Sequence, residues 1–197
     1  DTVVMARTGS GKTAAFLIPL LEKLLPSSSL SSSSSPSISN ENPTSAITTS
    51  TKGVRAIILS PTRELSLQTL RVLKKLSHFM SDQIRSVIGI HGGEGMEQQF
   101  DALASSPDVI VATPGRLAHI LSEVPDFHLR DCQICILDEA DRLLEMGFAL
   151  QLRQIAKSLP TDHRCQKLLF SATMPKVRAL VQPSSNILKR CQTEMIS

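Results

Sequence analysis

The chain has 197 residues, enough for one good-sized domain and too few for two of ordinary size. Hydrophobic residues make up 41% and charged residues 20%, which excludes a disordered or fibrous chain, while aromatics at 3% with no Trp or Tyr require an aliphatic core. A net charge of +3 permits a polyanionic partner without demanding one, and no apolar run approaches the length of a membrane span.

Residues 2–6 open the chain as a strand without an initiator methionine, so the sequence is expected to be a piece of a longer protein. The strand runs into Arg7-Thr8-Gly9-Ser10-Gly11-Lys12-Thr13. A helix to residue 25 follows, with Phe16, Leu17, Leu20, Leu21 and Leu24 at helical spacing. Strand, glycine-rich turn and helix is the order of a phosphate-binding loop, because glycines let backbone N–H groups point inward and a helix N-terminus favours an anion. In such a loop Lys12 reaches the β- and γ-phosphates and the Thr13 hydroxyl ligates magnesium. Ala6 stands where the general pattern has its first glycine, and that position is read as any small residue. The plainer alternative is a flexible glycine turn, a weak one because the full pattern seldom arises by chance.

From 26 to 52 the composition changes: twelve residues are serine, and only Glu41 and Lys52 are charged. Such a segment has too little apolar surface for a packed core and reads as a disordered surface insert, tolerated because loop-closure entropy grows slowly with length. Regular alternation then resumes. Strands are predicted at 54–60, 84–90, 108–112, 135–137 and 166–170, and helices at 64–80, 96–104, 114–122, 139–146 and 149–159. The alternation argues an α/β fold with a mainly parallel sheet covered by helices on both faces.

Within that fold the polar clusters fall at successive strand ends, along one edge of the sheet. Asp138, Glu139 and Asp141 close an apolar strand. Taken alone they are equally well read as a magnesium and water site or as acids favoured at a helix N-terminus. Arriving together with a phosphate-binding loop they favour the former, with Asp138 serving the metal and Glu139 orienting or deprotonating a water. Pro61-Thr62-Arg63-Glu64 and Thr113-Pro114-Gly115-Arg116 each pair a hydroxyl with an arginine at a helix start. That suits either an ordinary N-cap or a contact to a nucleic-acid backbone. Cys132 and Cys135 match C-x-x-C, but on a strand positions three apart point to opposite faces, and with Cys165 and Cys191 they are read as structural thiols in a reducing, intracellular setting. No Asn-Lys-x-Asp guanine-reading motif occurs, which argues against a GTP-binding switch protein.

The set Ala6-Arg7-Thr8-Gly9-Ser10-Gly11-Lys12-Thr13, Pro61-Thr62-Arg63-Glu64-Leu65, Gly92-Gly93, Thr113-Pro114-Gly115-Arg116-Leu117, Asp138-Glu139-Ala140-Asp141 and Ser171-Ala172-Thr173 resembles the ordered motifs of the first RecA-like domain of DEAD-box RNA helicases. The resemblance covers residues 2–181 apart from the insert. It places a RecA-like ATP-binding domain at 1–181 and a divergent, solvated tail at 182–197.

The resemblance implies that Ala6, Arg7, Thr8, Gly9, Ser10, Gly11, Lys12 and Thr13 bind ATP, that Thr13 and Asp138 serve Mg2+, and that Glu139 handles the attacking water. Pro61, Thr62, Arg63, Gly93, Thr113, Gly115 and Arg116 would hold the RNA sugar-phosphate backbone without reading bases. Asp141, Ser171 and Thr173 would couple ATP hydrolysis to strand separation. It also implies an upstream adenine-recognition element, a second RecA-like domain carrying arginine fingers, and, from the nucleolar branch that the sequence context most resembles, pre-ribosomal particles as partners in the nucleus. A truncated nucleotide- and RNA-binding fragment without catalytic activity is the alternative. Ser66 stands where the family usually has alanine, a change expected to do little harm.

Overall fold

The computed structural model describes residues 1–5, 9–25, 53–80, 83–161, 164–173 and 192–195. Strands Thr2–Met5 (β1), Ala56–Leu59 (β2), Val87–Ile90 (β3), Val109–Ala112 (β4), Ile134–Leu137 (β5), Gln166–Ser171 (β6) and Gln192–Met195 (β7) form one sheet in the order β3-β4-β2-β5-β6-β1-β7. Every pairing between these strands is parallel. The helices are Lys12–Leu24 (α1), Arg63–Ser77 (α2), Met96–Ala104 (α3), Pro114–Glu123 (α4), Ala140–Glu145 (α5) and Ala149–Ser158 (α6), with a short 3-10 turn at His78–Met80 after α2.

The central strands are apolar throughout because both of their faces are covered. Alternate residues of β2 and β5 enter different cores. Ala56, Ile58, Ile134 and Ile136 pack with Phe16, Leu17, Leu20 and Leu73 of α1 and α2. Ile57, Leu59, Cys135 and Leu137 pack with Leu117, Ile120, Leu143, Leu152 and Ile155 of α4, α5 and α6. The apolar stripe predicted for α1 is buried, and Phe16 meets Phe170 of β6 with ring centroids 5.1 Å apart.

The register aligns the strand ends. Leu59 pairs with both Ala112 and Leu137, Ile90 with Ala112, and Met5 with Ser171. The segments that leave β1, β6 and β5 therefore share one half of the carboxyl edge, and those that leave β2, β4 and β3 share the other.

The opposite, amino edge is tied by Asp108, which is buried. Its carboxylate accepts hydrogen bonds from Arg55 Nε (2.9 Å), the Arg85 amide (2.7 Å) and Arg85 Nη2 (3.1 Å), and Arg55 also donates to the carbonyls of Leu24 and Gln83. Burial alone would raise the Asp108 pKa, but these arginine contacts outweigh it and hold the group below its ordinary value.

The structure corrects two readings of the sequence. The segment beyond residue 182, expected as a solvated end, supplies Gln192–Met195 as a strand alongside β1. Cys132 precedes β5 rather than lying in it, so Cys132 and Cys135 enter the same apolar core instead of opposite faces. Cys132, Cys135 and Cys165 are all buried and form no disulfide among the described residues, and burial pushes the Cys135 thiol far up. The serine-rich insert at 26–52, most of the tail, including Cys191, and Ala6, Arg7 and Thr8 lie outside the described residues.

Candidate functional site

The site is built where β1, β5 and β6 end. Gly9 and Gly11 have φ of 83° and 84°, a left-handed backbone that L side chains rarely adopt, and nothing lies within 4 Å of where either Cβ would stand. Gly11 is the N-cap of α1 and makes no side-chain cap, so the first amides of the helix face the open loop. Lys12 is the first residue of that helix and Thr13 the second.

Lys12 does not point to solvent. Its Nζ donates to Glu139 Oε1 at 2.8 Å, and Lys12, Asp138 and Glu139 are all buried, at 7%, 7% and 8% exposure. Glu139 itself has φ 51° and is the N-cap of α5. A left-handed glutamate is uncommon, and strain of this kind gathers at functional sites. Here it makes a one-residue reversal that keeps two successive carboxylates at the strand end. The helix therefore starts at Ala140, one residue later than predicted, and neither acid lies within it.

Two buried carboxylates face one ammonium, so the cluster is short of positive charge. Burial first, and the neighbouring Glu139 second, push the Asp138 carboxyl up to about 6, with Lys12 opposing. An oxygen-rich, cation-poor pocket beside an open glycine cradle fits a hard divalent cation bound with a polyphosphate. Asp138 and Thr13 are the residues that would hold it.

A second cluster links β6 to α5. Asp141 Oδ2 accepts from the Thr173 hydroxyl at 2.9 Å and the Thr173 amide at 3.1 Å, while Ser171 Oγ donates to the Thr173 carbonyl at 2.9 Å. Burial alone would raise Asp141, and hydrogen bonds from Thr173, the Arg142 amide and Ser171 more than offset it, leaving its pKa lowered. The Ser171-Ala172-Thr173 segment is thus fastened to the helix that starts beside Glu139, so a movement of either is felt by the other.

The other half of the carboxyl edge gathers the remaining predicted residues. Thr62 caps α2, its Oγ1 accepting from the Leu65 amide at 3.3 Å, so its side chain serves the ordinary N-cap role in this state. Thr113 precedes α4 without a side-chain cap, and Pro114 takes the first turn, where a missing N–H costs nothing. Gly115 lies below Phe148, and Pro61 is buried.

Arg63, Gly93 and Arg116 are brought together by residues without a motif signature. Arg63 Nη2 lies 3.3 Å from Glu94 Oε1, and Arg116 donates from Nη2 to the Glu94 carbonyl (2.8 Å) and from Nε to Gln99 Oε1 (3.0 Å). Gln99, 1% exposed, donates in turn to the His91 carbonyl at 2.8 Å. The one signal in the sequence is a glutamine on the buried side of a helix.

Ser66 is costlier than its small size suggests. It is fully buried, and its Oγ has no hydrogen-bond partner among the described residues. An unsatisfied buried hydroxyl costs on the order of 1–3 kcal/mol, so Ser66→Ala is expected to stabilise the chain by about 1 kcal/mol. Urea denaturation measures this directly, and a lower midpoint in the variant would contradict it.

The sequence profile of the DEAD/DEAH box helicase family matches residues 1–180. The chain is 49% identical over 179 residues to putative DEAD-box ATP-dependent RNA helicase 29 of Arabidopsis thaliana, covering 91% of this chain and 18% of that protein. It is 45% identical over 177 residues to ATP-dependent RNA helicase DDX54 of Mus musculus, covering 90% and 17%. Among solved structures, the yeast DEAD-box splicing factor Prp28 is similar with a TM-score of 0.76 at 30% identity, covering 100% of this chain and 41% of that one. The chain thus spans less than a fifth of the length of these two relatives.

Proposed function

This chain belongs to the DEAD/DEAH box helicase family, and on that premise we propose that it is the ATP- and RNA-binding domain of a helicase that couples ATP hydrolysis to RNA strand separation. The observation that carries the proposal is the buried Lys12, Asp138 and Glu139 cluster beside the open Gly9 and Gly11 turn. In this reading the backbone amides from Gly9 to Thr13 and the Lys12 ammonium hold the ATP phosphates, and Ala6, Arg7 and Thr8 complete the loop. Thr13 and Asp138 hold Mg2+, which supplies charge compensation for the phosphates when bound. Glu139 is the acceptor for a proton of the attacking water, and it becomes free for that work only when the phosphates take Lys12 from it.

Arg63 and Arg116, with Pro61, Thr62, Gly93, Thr113 and Gly115, form the surface for an RNA sugar-phosphate backbone. Their place on the same sheet edge as the phosphate site supports this. Asp141, Ser171 and Thr173, joined by hydrogen bonds next to Glu139, would couple hydrolysis to strand separation. The domain takes in 1–181 together with the Gln192–Met195 strand beside β1, and its partner in catalysis is a second RecA-like domain, whose arginines would face the phosphates. The resemblance of the sequence context to the nucleolar branch extends the proposal to a place in the nucleolus, on pre-ribosomal particles.

The test is Glu139→Gln in the protein that carries both RecA-like domains. RNA-stimulated ATP turnover is expected to fall by about two orders of magnitude or more while affinity for a non-hydrolysable ATP analogue is kept. Equal turnover in the two proteins would remove Glu139 from the chemistry.

A further inference from the structure

Glu94 is an acid set among the cations of a surface read above as a polyanion site. Its Oε1 lies 3.3 Å from Arg63 Nη2 and also 3.3 Å from His91 Nε2. The His91 contact lacks hydrogen-bond geometry, and neither ring nitrogen has a hydrogen-bond partner among the described residues. Burial above all holds His91 below its ordinary pKa, with Glu94 pulling the other way and Arg63 reinforcing the burial. Arg63, a guanidinium that keeps its charge, is the cation that Glu94 meets with hydrogen-bond geometry.

The placement is enforced by the loop. Gly93 has φ 86°, and a Cβ there would collide with Arg63 Nη1, so the guanidinium lies against a bare backbone. The next residue's carbonyl is held by Arg116, which is in turn held by the buried Gln99. The loop is thus pinned in a position that delivers its carboxylate to Arg63. Both partners remain reachable from solvent, with side chains 41% and 33% exposed.

We propose that Glu94 is an internal counter-anion that an RNA phosphate must displace from Arg63. This rests on the reading of Arg63 and Arg116 as RNA backbone contacts. A tethered carboxylate at a half-exposed site competes weakly, so it lowers RNA affinity and speeds release without closing the surface.

The test uses a short fluorescein-labelled oligouridylate titrated with this chain and followed by anisotropy over a range of salt. Glu94→Gln is expected to bind about two- to fivefold tighter, the range for an exposed ion pair. It should also steepen the log–log salt dependence by up to about 0.7, because in the parent chain the carboxylate freed from Arg63 takes up a cation as the phosphate releases one, and the amide does not. A change that merely loosened the loop would weaken binding and leave the slope shallower. In an Arg63→Ala background the gain from Glu94→Gln should vanish; an equal gain there assigns the effect to overall charge and overturns the proposal. Weaker binding by Arg63→Ala together with no gain from Glu94→Gln overturns the counter-anion alone. No weakening by Arg63→Ala overturns the RNA reading of this surface as well.

Discussion

Lys12→Ala is expected to abolish measurable binding of a fluorescent ATP analogue. The amides of the glycine turn offer only partial charges, whereas the ammonium is the full positive charge available to the phosphates in this cluster. In the structure that ammonium is engaged with Glu139 at 2.8 Å in a buried pair, so the substitution has a second effect. Among the described residues it leaves Glu139 buried with only Arg142, 4.0 Å away, as a cationic neighbour. Removing one partner of a buried pair costs about 3–5 kcal/mol.

Loss of binding through unfolding and loss through missing charge are separable. The double variant Lys12→Ala/Glu139→Gln removes the stranded carboxylate as well, and it is expected to recover most of the stability in urea denaturation and none of the nucleotide affinity. Unchanged affinity in the single variant, or restored affinity in the double one, would remove Lys12 from the phosphate site.

Much of this arrangement is legible in the sequence, and the exceptions have physical causes. The parallel sheet is readable because strands covered on both faces need unbroken apolar runs, as in Ala56–Leu59 and Ile134–Leu137. Strand ends are less so. Residues 84–86 look like a strand but precede β3, because the Arg85 amide is taken by the Asp108 carboxylate instead of a neighbouring strand. Gln192–Met195 carries no apolar pattern at all, and what defines it as a strand is its backbone pairing to β1, which composition does not report.

The same distinction holds at the site. Lys12, Asp138 and Glu139 are announced by motifs whose spacing reflects local backbone needs. The left-handed turn at Glu139 is not announced, since nothing in a glutamate signals a positive φ. Nor is the meeting of His91, Glu94 and Gln99 with Arg63 and Arg116, which depends on the loop after β3 approaching the starts of α2 and α4. Contacts made by tertiary approach leave no periodic trace.

Asp138→Asn is expected to make the chain more stable while removing the magnesium dependence of nucleotide binding. The carboxyl is held up to about 6, against an ordinary value of 3.8, by burial first and by the charge of Glu139 second. A folded-state pKa above the unfolded one means that the folded chain binds more protons between those two values. Stability contributed by the protonated acid is therefore lost as pH rises from about 4 to about 6, and the penalty is complete above that window. The difference between those two values corresponds to roughly 3 kcal/mol.

Asparagine carries no charge to bury, so the variant should lack this decline and gain on the order of 2–3 kcal/mol at pH 7.5. Urea midpoints at pH 4.5 and 7.5 without magnesium measure both claims, and a parallel pH dependence in the two proteins would overturn them. The same substitution removes the anionic oxygen proposed for Mg2+, so added magnesium should no longer tighten ATP-analogue binding. Gain in one assay and loss in the other would identify Asp138 as an acid kept in a costly place for its chemistry, because a residue serving only to cap a helix or fill the core would lose stability on replacement.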